Sequence, residues 1–259
     1  MTWTTRPRSE EAGVAFVEAG EGPLLLFLHG VGLRAEAWGA QIDAFSDRFE
    51  VRAPDLPGHG GSVLPGRAER LSAYTDALAA CATRPCVVIG HSMGAMIALD
   101  LAIRFPDRVR GVVALNAIHR RTEAARQAVM QRADSLDGRS TADPEATLTR
   151  WFGTDPLPAR AACRRWLTGV DPAGYRAAYR VFAQEDGPSD TDLGRLASPA
   201  LFMTGSREPN STPKMSEQMA ALAPKGAAQI VEGAAHMMPM THAQEVNAVI
   251  AAFAARCLT

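Results

Sequence analysis

Five residues, Gly90-His91-Ser92-Met93-Gly94, hold the side chain in this sequence that is best placed to act as a nucleophile. The β-branched run CVVI precedes them and the helix-like pattern MGAMIALDLAIR overlaps them, so Ser92 is expected at a tight strand-to-helix turn. Such a turn imposes an unfavourable backbone conformation on the serine, and the flanking glycines avoid Cβ clashes. The hydroxyl would then stand at a helix N-terminus, where unpaired amides favour negative charge.

A glycine-rich turn without chemical activity would carry the same G-x-S-x-G pattern, but the strand before it and the helix after it favour a nucleophile. A serine hydroxyl reacts poorly until a base removes its proton, and that base needs an acid to orient it. The fold must therefore bring a histidine and a carboxylate to Ser92.

Short apolar runs alternate with helix-period segments through most of the chain. Strands are expected at 14–17, 24–28, 49–53, 86–89, 111–115, 200–204 and 228–231. Helices are expected at 35–45, 67–82, 93–104, 213–222 and 243–256. This alternation predicts an α/β fold with a parallel sheet covered by helices on both faces.

The rhythm changes between residues 119 and 190, where strand-like runs disappear and helical patterns follow one another. We therefore predict a core formed by residues 1–118 and 191–259, interrupted by an all-helical lid at 119–190. Trp151 and Trp166 are candidates for the wall of a substrate pocket under this lid, although aromatic residues at helical spacing more often serve packing between helices.

Composition and charge exclude several classes of protein. The chain has 259 residues, 47% hydrophobic, and a net charge of −1, which gives no reason to expect nucleic acid or an anionic membrane as a partner. No signal peptide and no long apolar segment are visible. The four cysteines show neither metal-ligand nor CxxC spacing, so a cytoplasmic protein without disulfides, metal or cofactor is expected.

The sequence resembles the α/β-hydrolase superfamily over essentially its whole length. The stretches that carry the resemblance are FLHGVGLRAEAW, APDLPGHGGS, VVIGHSMGAMIALDLAIRFPDRVRGVVALN, TGSREPNSTP and EGAAHMMPM. Within the superfamily it is similar to small bacterial carboxylesterases, enol-lactonases and C–C bond hydrolases. The resemblance implies the α/β-hydrolase fold, with a mostly parallel eight-stranded sheet flanked by helices and a helical lid of variable structure.

The same resemblance implies the partners of Ser92. His236, in EGAAHMM, stands where the family places its general base. The family usually carries aspartate in a G-x-x-D pattern after the strand at 200–204, and Glu208 occupies that position here. Some relatives place the acid after the strand at 111–115, but Asn116 stands there and is not a carboxylate. Glu208 is therefore the expected acid.

Two backbone amides are expected to bind the developing oxyanion. One belongs to Met93, directly after the nucleophile, and the resemblance assigns the other to Val31 in the loop His29-Gly30-Val31-Gly32. Gly32 and Met237 are further candidates for the substrate pocket, although a methionine beside the site also serves as core filler.

We therefore expect a monomeric or homodimeric serine hydrolase that cleaves an ester, thioester or lactone of a small carboxylic acid through an acyl-enzyme. C–C bond hydrolysis by the same residues is one alternative, and a non-catalytic ligand receptor on this fold is another. A further hypothesis is a carboxylate clamp made by one or two of the arginines at the lid entrance, namely Arg120, Arg121 and Arg126.

Overall fold

Eight strands form one sheet in the computed structural model, which describes residues 3–64, 66 and 69–258. The strands are β1 (Ser9–Glu11), β2 (Val14–Ala19), β3 (Leu24–Leu28), β4 (Glu50–Pro54), β5 (Cys86–His91), β6 (Val109–Leu115), β7 (Ala200–Gly205) and β8 (Gly226–Val231). Their order across the sheet is β1-β2-β4-β3-β5-β6-β7-β8. The pairs β1–β2 and β2–β4 are antiparallel and the remaining neighbours are parallel, which confirms the predicted sheet.

The described residues also form eleven α-helices and one short 3₁₀ helix at Ala35–Trp38. The α-helices are α1 (Gly39–Phe45), α2 (Leu71–Ala79), α3 (Met93–Arg104), α4 (Glu123–Asp134), α5 (Glu145–Phe152), α6 (Pro158–Gly169), α7 (Pro172–Gln184), α8 (Asp190–Gly194), α9 (Pro213–Leu222), α10 (Met238–Thr241) and α11 (Ala243–Cys257). In the described part of the chain, no helix combines the length and the apolar character needed to cross a bilayer.

The central strands are buried on both faces because helices cover the sheet on both sides. Leu26 of β3 belongs to the apolar cluster that also contains α2 and α3 side chains. Phe27, the next residue, points to the opposite face and packs with Trp38 and Phe45, at ring-centroid distances of 5.1 and 6.0 Å. Adjacent strand residues therefore serve two separate cores, as the strand period of two requires.

Five helices, α4 to α8, lie between β6 and β7, and residues 116–199 contain no strand. We call residues 119–190 the helical insertion. Its helices share a third apolar cluster with the core residues Leu33 and Met237. The insertion therefore packs against the loops that follow β3 and β8, at the carboxyl ends of these strands. Helix α8 continues to Gly194, four residues beyond the predicted end of the insertion.

Several boundaries differ from the sequence-based expectation. β1 was not expected because its residues, Ser-Glu-Glu, are polar and exposed and join the sheet through backbone pairing with β2. The helix expected at 67–82 spans only Leu71–Ala79, and Arg67 and Ala68 at its expected start lie outside the described residues. The short helix α10 contains Pro239 and follows His236 closely, which concealed it in the sequence.

Candidate active site

Ser92 stands between β5 and α3 with φ 57° and ψ −119°, a conformation that few non-glycine residues adopt. Its amide donates a hydrogen bond of 2.9 Å to the Leu115 carbonyl at the end of β6, and its side chain is partly exposed. A Cβ on Gly90 would lie 2.1 Å from the Gly94 carbonyl oxygen, and a Cβ on Gly94 would lie 2.1 Å from the Leu28 oxygen. The strained turn therefore requires both glycines.

Met93 is the first residue of α3, so its amide has no intrahelical acceptor and points out of the helix N-terminus. The amides of Ala95 and Met96 instead donate to the Ser92 carbonyl, at 3.0 and 3.3 Å. The helix dipole and the free amide both favour negative charge beside Ser92. This geometry is compatible with the oxyanion role predicted for Met93.

The loop after β3 leaves the Val31 amide as its other available donor. The Gly32 amide donates to Nε2 of His59 at 2.9 Å, and the Leu33 amide donates to the Gly30 carbonyl at 3.2 Å. The hydrogen bonds of the described residues include none from the Val31 amide. A Cβ on Gly30 would lie 3.1 Å from the Ser92 Cβ, so this loop runs directly beside the serine.

Two buried histidines hold the loop in place as neutral rings. His59 accepts from Gly32 through Nε2, and its Nδ1 faces the Pro57 carbonyl at 3.2 Å. His29 accepts from the Leu56 amide through Nε2, and its Nδ1 faces the Gly30 carbonyl at 2.8 Å. Burial lowers the pKa of His59 and lowers that of His29 to about 3, so each ring keeps one N–H and one acceptor.

A buried ionic network lies beneath the same loop. Arg8 donates to both oxygens of Glu36, at 2.8 and 2.7 Å, and its Nε donates to Asp55 at 2.6 Å. Asp55 also accepts from the amides of Ala35 and Gly61 at 2.8 Å each. Burial raises the pKa of Asp55, but these donors outweigh it and lower the pKa overall. The network fixes the segments that follow β3 and β4.

His236 and Glu208 are joined by a direct hydrogen bond. Nδ1 of His236, in the loop after β8, lies 2.9 Å from Oε2 of Glu208, in the loop after β7. Glu208 is 3% exposed. Its other oxygen, Oε1, accepts from the amides of Asn210 and Ser211 at 2.8 and 3.3 Å. Burial raises the pKa of Glu208, but the His236 ring and these donors lower it to about 2.

His91 links the serine turn to the histidine loop. Its Nε2 lies 2.8 Å from the His236 carbonyl oxygen, and the two rings lie 4.8 Å apart. Burial lowers the pKa of His91 to about 3, so the neutral ring donates this hydrogen bond. Among the hydrogen bonds of the described residues, none joins the Ser92 hydroxyl to His236. The fold therefore joins His236 to Glu208 directly, and to Ser92 through His91.

The helical insertion lies directly over these groups. The Trp151 ring stacks on the His236 ring at a centroid distance of 5.4 Å and an angle of 22°. Gly32, with φ 77°, has Leu167 and Tyr175 so close that a Cβ would lie 2.5 and 2.8 Å from them. The roles of Trp151 and Gly32 in a substrate pocket stay predictions.

The other two predicted pocket residues lie in different surroundings. Met237 is buried in the apolar cluster between the insertion and the core. Trp166 and Leu33 line a cavity of about 340 Å³. The walls of this cavity include neither Ser92 nor His236. The structure therefore places Trp166 beside a cavity that does not include these two residues, and its role in substrate binding stays a prediction.

The three arginines proposed as a carboxylate clamp are engaged within the insertion or its C-terminal junction. Arg121 is buried, donates to the carbonyls of Glu185 and Phe182, and lies over the Phe182 ring. Arg126 donates to Asp186 at 2.7 Å, and Arg120 pairs with Asp190. These bonds hold insertion segments together, so the clamp hypothesis receives no support from the structure.

The described residues contain no group of three His, Cys, Asp or Glu side chains arranged to hold a metal ion. Sequence reasoning missed the stacking of Trp151 on His236 and the hydrogen bond from Asn116 to Glu208. Neither has a local sequence signal, because each joins residues that only the tertiary fold brings together.

Comparison with known proteins identifies similar sequences over most of the chain. Residues 25–249 match the model of the Alpha/beta hydrolase family. The (E)-2-((N-methylformamido)methylene)succinate hydrolase of Acinetobacter baylyi is 38% identical over 244 residues, which cover 92% of each chain. The pimeloyl-[acyl-carrier protein] methyl ester esterase of Stenotrophomonas maltophilia is 32% identical, covering 91% of this chain and 94% of that one.

A solved structure extends the similarity to three dimensions. A thermophilic esterase from Thermogutta terrifontis, solved with malate bound, superposes with a TM-score of 0.84 at 27% identity. The match covers 99% of this chain and all of that one.

Proposed function

Since the chain belongs to the alpha/beta hydrolase family and is a hydrolase, we propose that it works by acyl transfer through Ser92, His236 and Glu208. One observation carries the proposal. Nδ1 of His236 donates to Oε2 of Glu208 at 2.9 Å, which leaves the lone pair of the ring on Nε2. A neutral imidazole fixed in this tautomer is the base that a serine nucleophile needs.

The steps of the reaction follow from the roles of these groups. His236 takes the Ser92 proton as the hydroxyl oxygen attacks the substrate carbonyl, and the amides of Val31 and Met93 bind the resulting oxyanion. The imidazolium then protonates the leaving group, and an acyl-enzyme remains on Ser92. Water, activated by His236, attacks the acyl carbonyl and releases the acid, which restores the serine.

The contact between Ser92 and His236 forms on substrate binding in this proposal. Hydrogen bonds of catalytic groups are often long without substrate and tighten in the reactive complex. Rotation about the Cα–Cβ bond of Ser92 moves only the hydroxyl. The backbones of Ser92 and His236 stay close together because His91, next to Ser92 in the turn, donates a hydrogen bond to the His236 carbonyl. The insertion at 119–190 serves as the lid over this step, with Trp151 against the ring of His236.

The substrate is an ester, thioester or lactone of a small carboxylic acid. The esterases among the relatives support this class, since their names describe cleavage of ester bonds. A second candidate is an amide attached to a methylenesuccinate, because the relative named for such a compound is 38% identical over 92% of both chains. In that case His236 protonates nitrogen rather than an alcohol or thiol leaving group.

The test is turnover of a substrate panel by wild type, Ser92→Ala and Ser46→Ala. The panel contains p-nitrophenyl acetate and butyrate, a butyryl thioester, γ-butyrolactone and (E)-2-((N-methylformamido)methylene)succinate. Ser92→Ala should lower kcat by about 10⁴-fold or more on every substrate that is cleaved. Ser46, also partly exposed, directly follows α1 and should tolerate alanine without loss.

Labelling supplies an independent readout. A fluorophosphonate should add to Ser92 in wild type and in Ser46→Ala but not in Ser92→Ala, as measured by peptide mass. Turnover that survives in Ser92→Ala would refute the proposal. Absence of turnover and of labelling throughout the panel would instead favour a ligand receptor.

A further inference from the structure

Asn116 follows β6 with φ 53°, in the left-handed region that asparagine tolerates better than most residues. Its amide N–H donates to the Met203 carbonyl of β7 at 2.8 Å, and its side chain is 1% exposed. The side chain therefore sits at the carboxyl ends of two neighbouring strands, beneath the loop that carries Glu208.

The side-chain amide of Asn116 faces two acceptors. Its Nδ2 lies 3.3 Å from Oγ1 of Thr204 and 3.5 Å from Oε2 of Glu208. An ionised carboxylate only accepts hydrogen bonds, so the NH₂ group must be the part of the amide that points toward Glu208. The contact reaches the same oxygen, Oε2, to which His236 donates.

The opposite end of the amide indicates that the donor is the important part. Oδ1 of Asn116 is buried and has no hydrogen-bond partner in the part of the chain that the structure describes. A buried acceptor without a partner costs free energy, on the order of 1–3 kcal/mol. The favourable interactions of this side chain are therefore those of its NH₂ group with Glu208 and Thr204.

Glutamate needs such restraint more than aspartate does. Its extra methylene adds a rotatable bond, so the carboxylate has more orientations to lose when it faces His236. The backbone amides of Asn210 and Ser211 fix Oε1. Besides the His236 ring, Asn116 supplies a side-chain donor to Oε2.

We propose that Asn116 is a positioning residue that holds Oε2 of Glu208 toward Nδ1 of His236. It touches neither substrate nor oxyanion in this role, and it acts through Glu208 alone. The inference rests on the proposed function, because the orientation of Glu208 matters only if His236 is the base. A purely structural role would instead fasten the Glu208 loop through Thr204, whose hydroxyl donates to the Ser211 carbonyl at 2.6 Å.

The first variant is Asn116→Gly, which keeps the left-handed backbone without strain and deletes the amide. Loss of a long hydrogen bond to a charged group should lower kcat about tenfold while KM changes little, because substrate binding is untouched. Wild-type kcat in folded Asn116→Gly would overturn the proposal, as would a change confined to KM.

The second test exchanges the two side-chain chemistries. Asn116→Asp alone sets two carboxylates side by side, and Glu208→Gln alone sets two amides side by side, so each should lower kcat. In the double variant the repulsion between the two carboxylates is gone, and no carboxylate remains at position 208 for the residue at position 116 to orient. The kcat of the double variant should exceed the product of the two single effects by about tenfold, which is the signature of direct coupling.

These outcomes separate the inference from the proposed function. Multiplicative single effects would overturn the positioning role, because a residue that merely supports the fold has no reason to couple to the charge at position 208. If Asn116→Gly does not fold, the exchange still decides, since aspartate is isosteric with asparagine and tolerates the same backbone. Survival of activity in Ser92→Ala would reject the proposed function itself, whatever the Asn116 variants show.

Discussion

Trp151 of the helical insertion stacks on the imidazole of His236 in the core, with 5.4 Å between ring centroids and 22° between ring planes. The two residues are far apart in the chain, and their contact joins α5 to the loop after β8. The indole covers one face of the ring while Glu208 binds its Nδ1 edge. The orientation of His236 therefore depends on the insertion as well as on the core.

Replacing Trp151 with alanine should lower kcat on the best ester about tenfold, because the ring of His236 loses the surface that fixes its plane. Trp166→Ala is the matched control, since Trp166 lies in the same insertion but lines a cavity away from His236. Steady-state kinetics of both variants, with thermal unfolding as a check on folding, measure the effect. Equal losses in the two variants would indicate general damage to the insertion instead.

Glu208→Gln should reduce kcat by about a hundredfold or more, since glutamine keeps the shape but removes the charge that stabilises the imidazolium and sets the tautomer. Glu232→Gln serves as the control: Glu232 is exposed after β8 and bonds only Ser206 among the described residues. Kinetics on one chromogenic ester suffices. Wild-type activity in Glu208→Gln would mean that another carboxylate orients His236.

The serine turn should not tolerate a methyl group at Gly94, where α3 packs closely against β3. Alanine at Gly94 places its Cβ 2.1 Å from a backbone oxygen of β3, so the free energy of unfolding should fall by about 3 kcal/mol or more. Gly169, at the end of α6, has open space where a Cβ would stand, with no neighbouring atom within 4 Å. Gly169→Ala should therefore leave stability unchanged or raise it by up to about 1 kcal/mol. Urea denaturation compares the two, and similar midpoints would contradict the close approach.

Acid should destabilise the protein below pH 6.5. Burial lowers the pKa of His29 and of His91 from 6.5 to about 3, so the unfolded chain binds protons that the folded chain does not. Each ring then costs stability as pH falls from 6.5 toward 3, by roughly 1.4 kcal/mol per pH unit. Between pH 7.5 and 4.5 the two rings should lower the free energy of unfolding by on the order of 5 kcal/mol.

Glu208 extends the same trend at lower pH. Its pKa is lowered from 4.5 to about 2, so its contribution is complete above pH 4.5 and is lost as pH falls toward 2. Urea denaturation at pH 7.5, 6.5, 5.5 and 4.5 measures the histidine contribution. Constant stability over that range would show that these rings charge without cost.

The fold class was predictable because strand and helix periods, and the turn at Ser92, are local patterns. Glu208 was selected by its position in a motif, and the structure adds the 2.9 Å contact that supports the choice. The catalytic roles of Ser92, His236 and Glu208 stay predictions until variants are measured.

Other features depended on tertiary contacts that no sequence window contains. Arg8 reaches Glu36 and Asp55 across 28 and 47 residues of chain, and nothing in its neighbourhood marks it as an anchor. Arg121 was considered as a substrate ligand on charge alone, but burial and two carbonyl acceptors use it within the insertion. The sequence shows that a side chain is charged but not which groups it faces, and for Arg8 and Arg121 those groups decide the role.

The hydrogen bond from His91 to the His236 carbonyl spans 145 residues. During synthesis the turn that carries Ser92 emerges from the ribosome well before the segment after β8. Under the proposed mechanism, Ser92 cannot lose its proton to His236 until that segment has been made. The long separation of the two segments in sequence would then delay hydrolytic activity until synthesis is nearly complete.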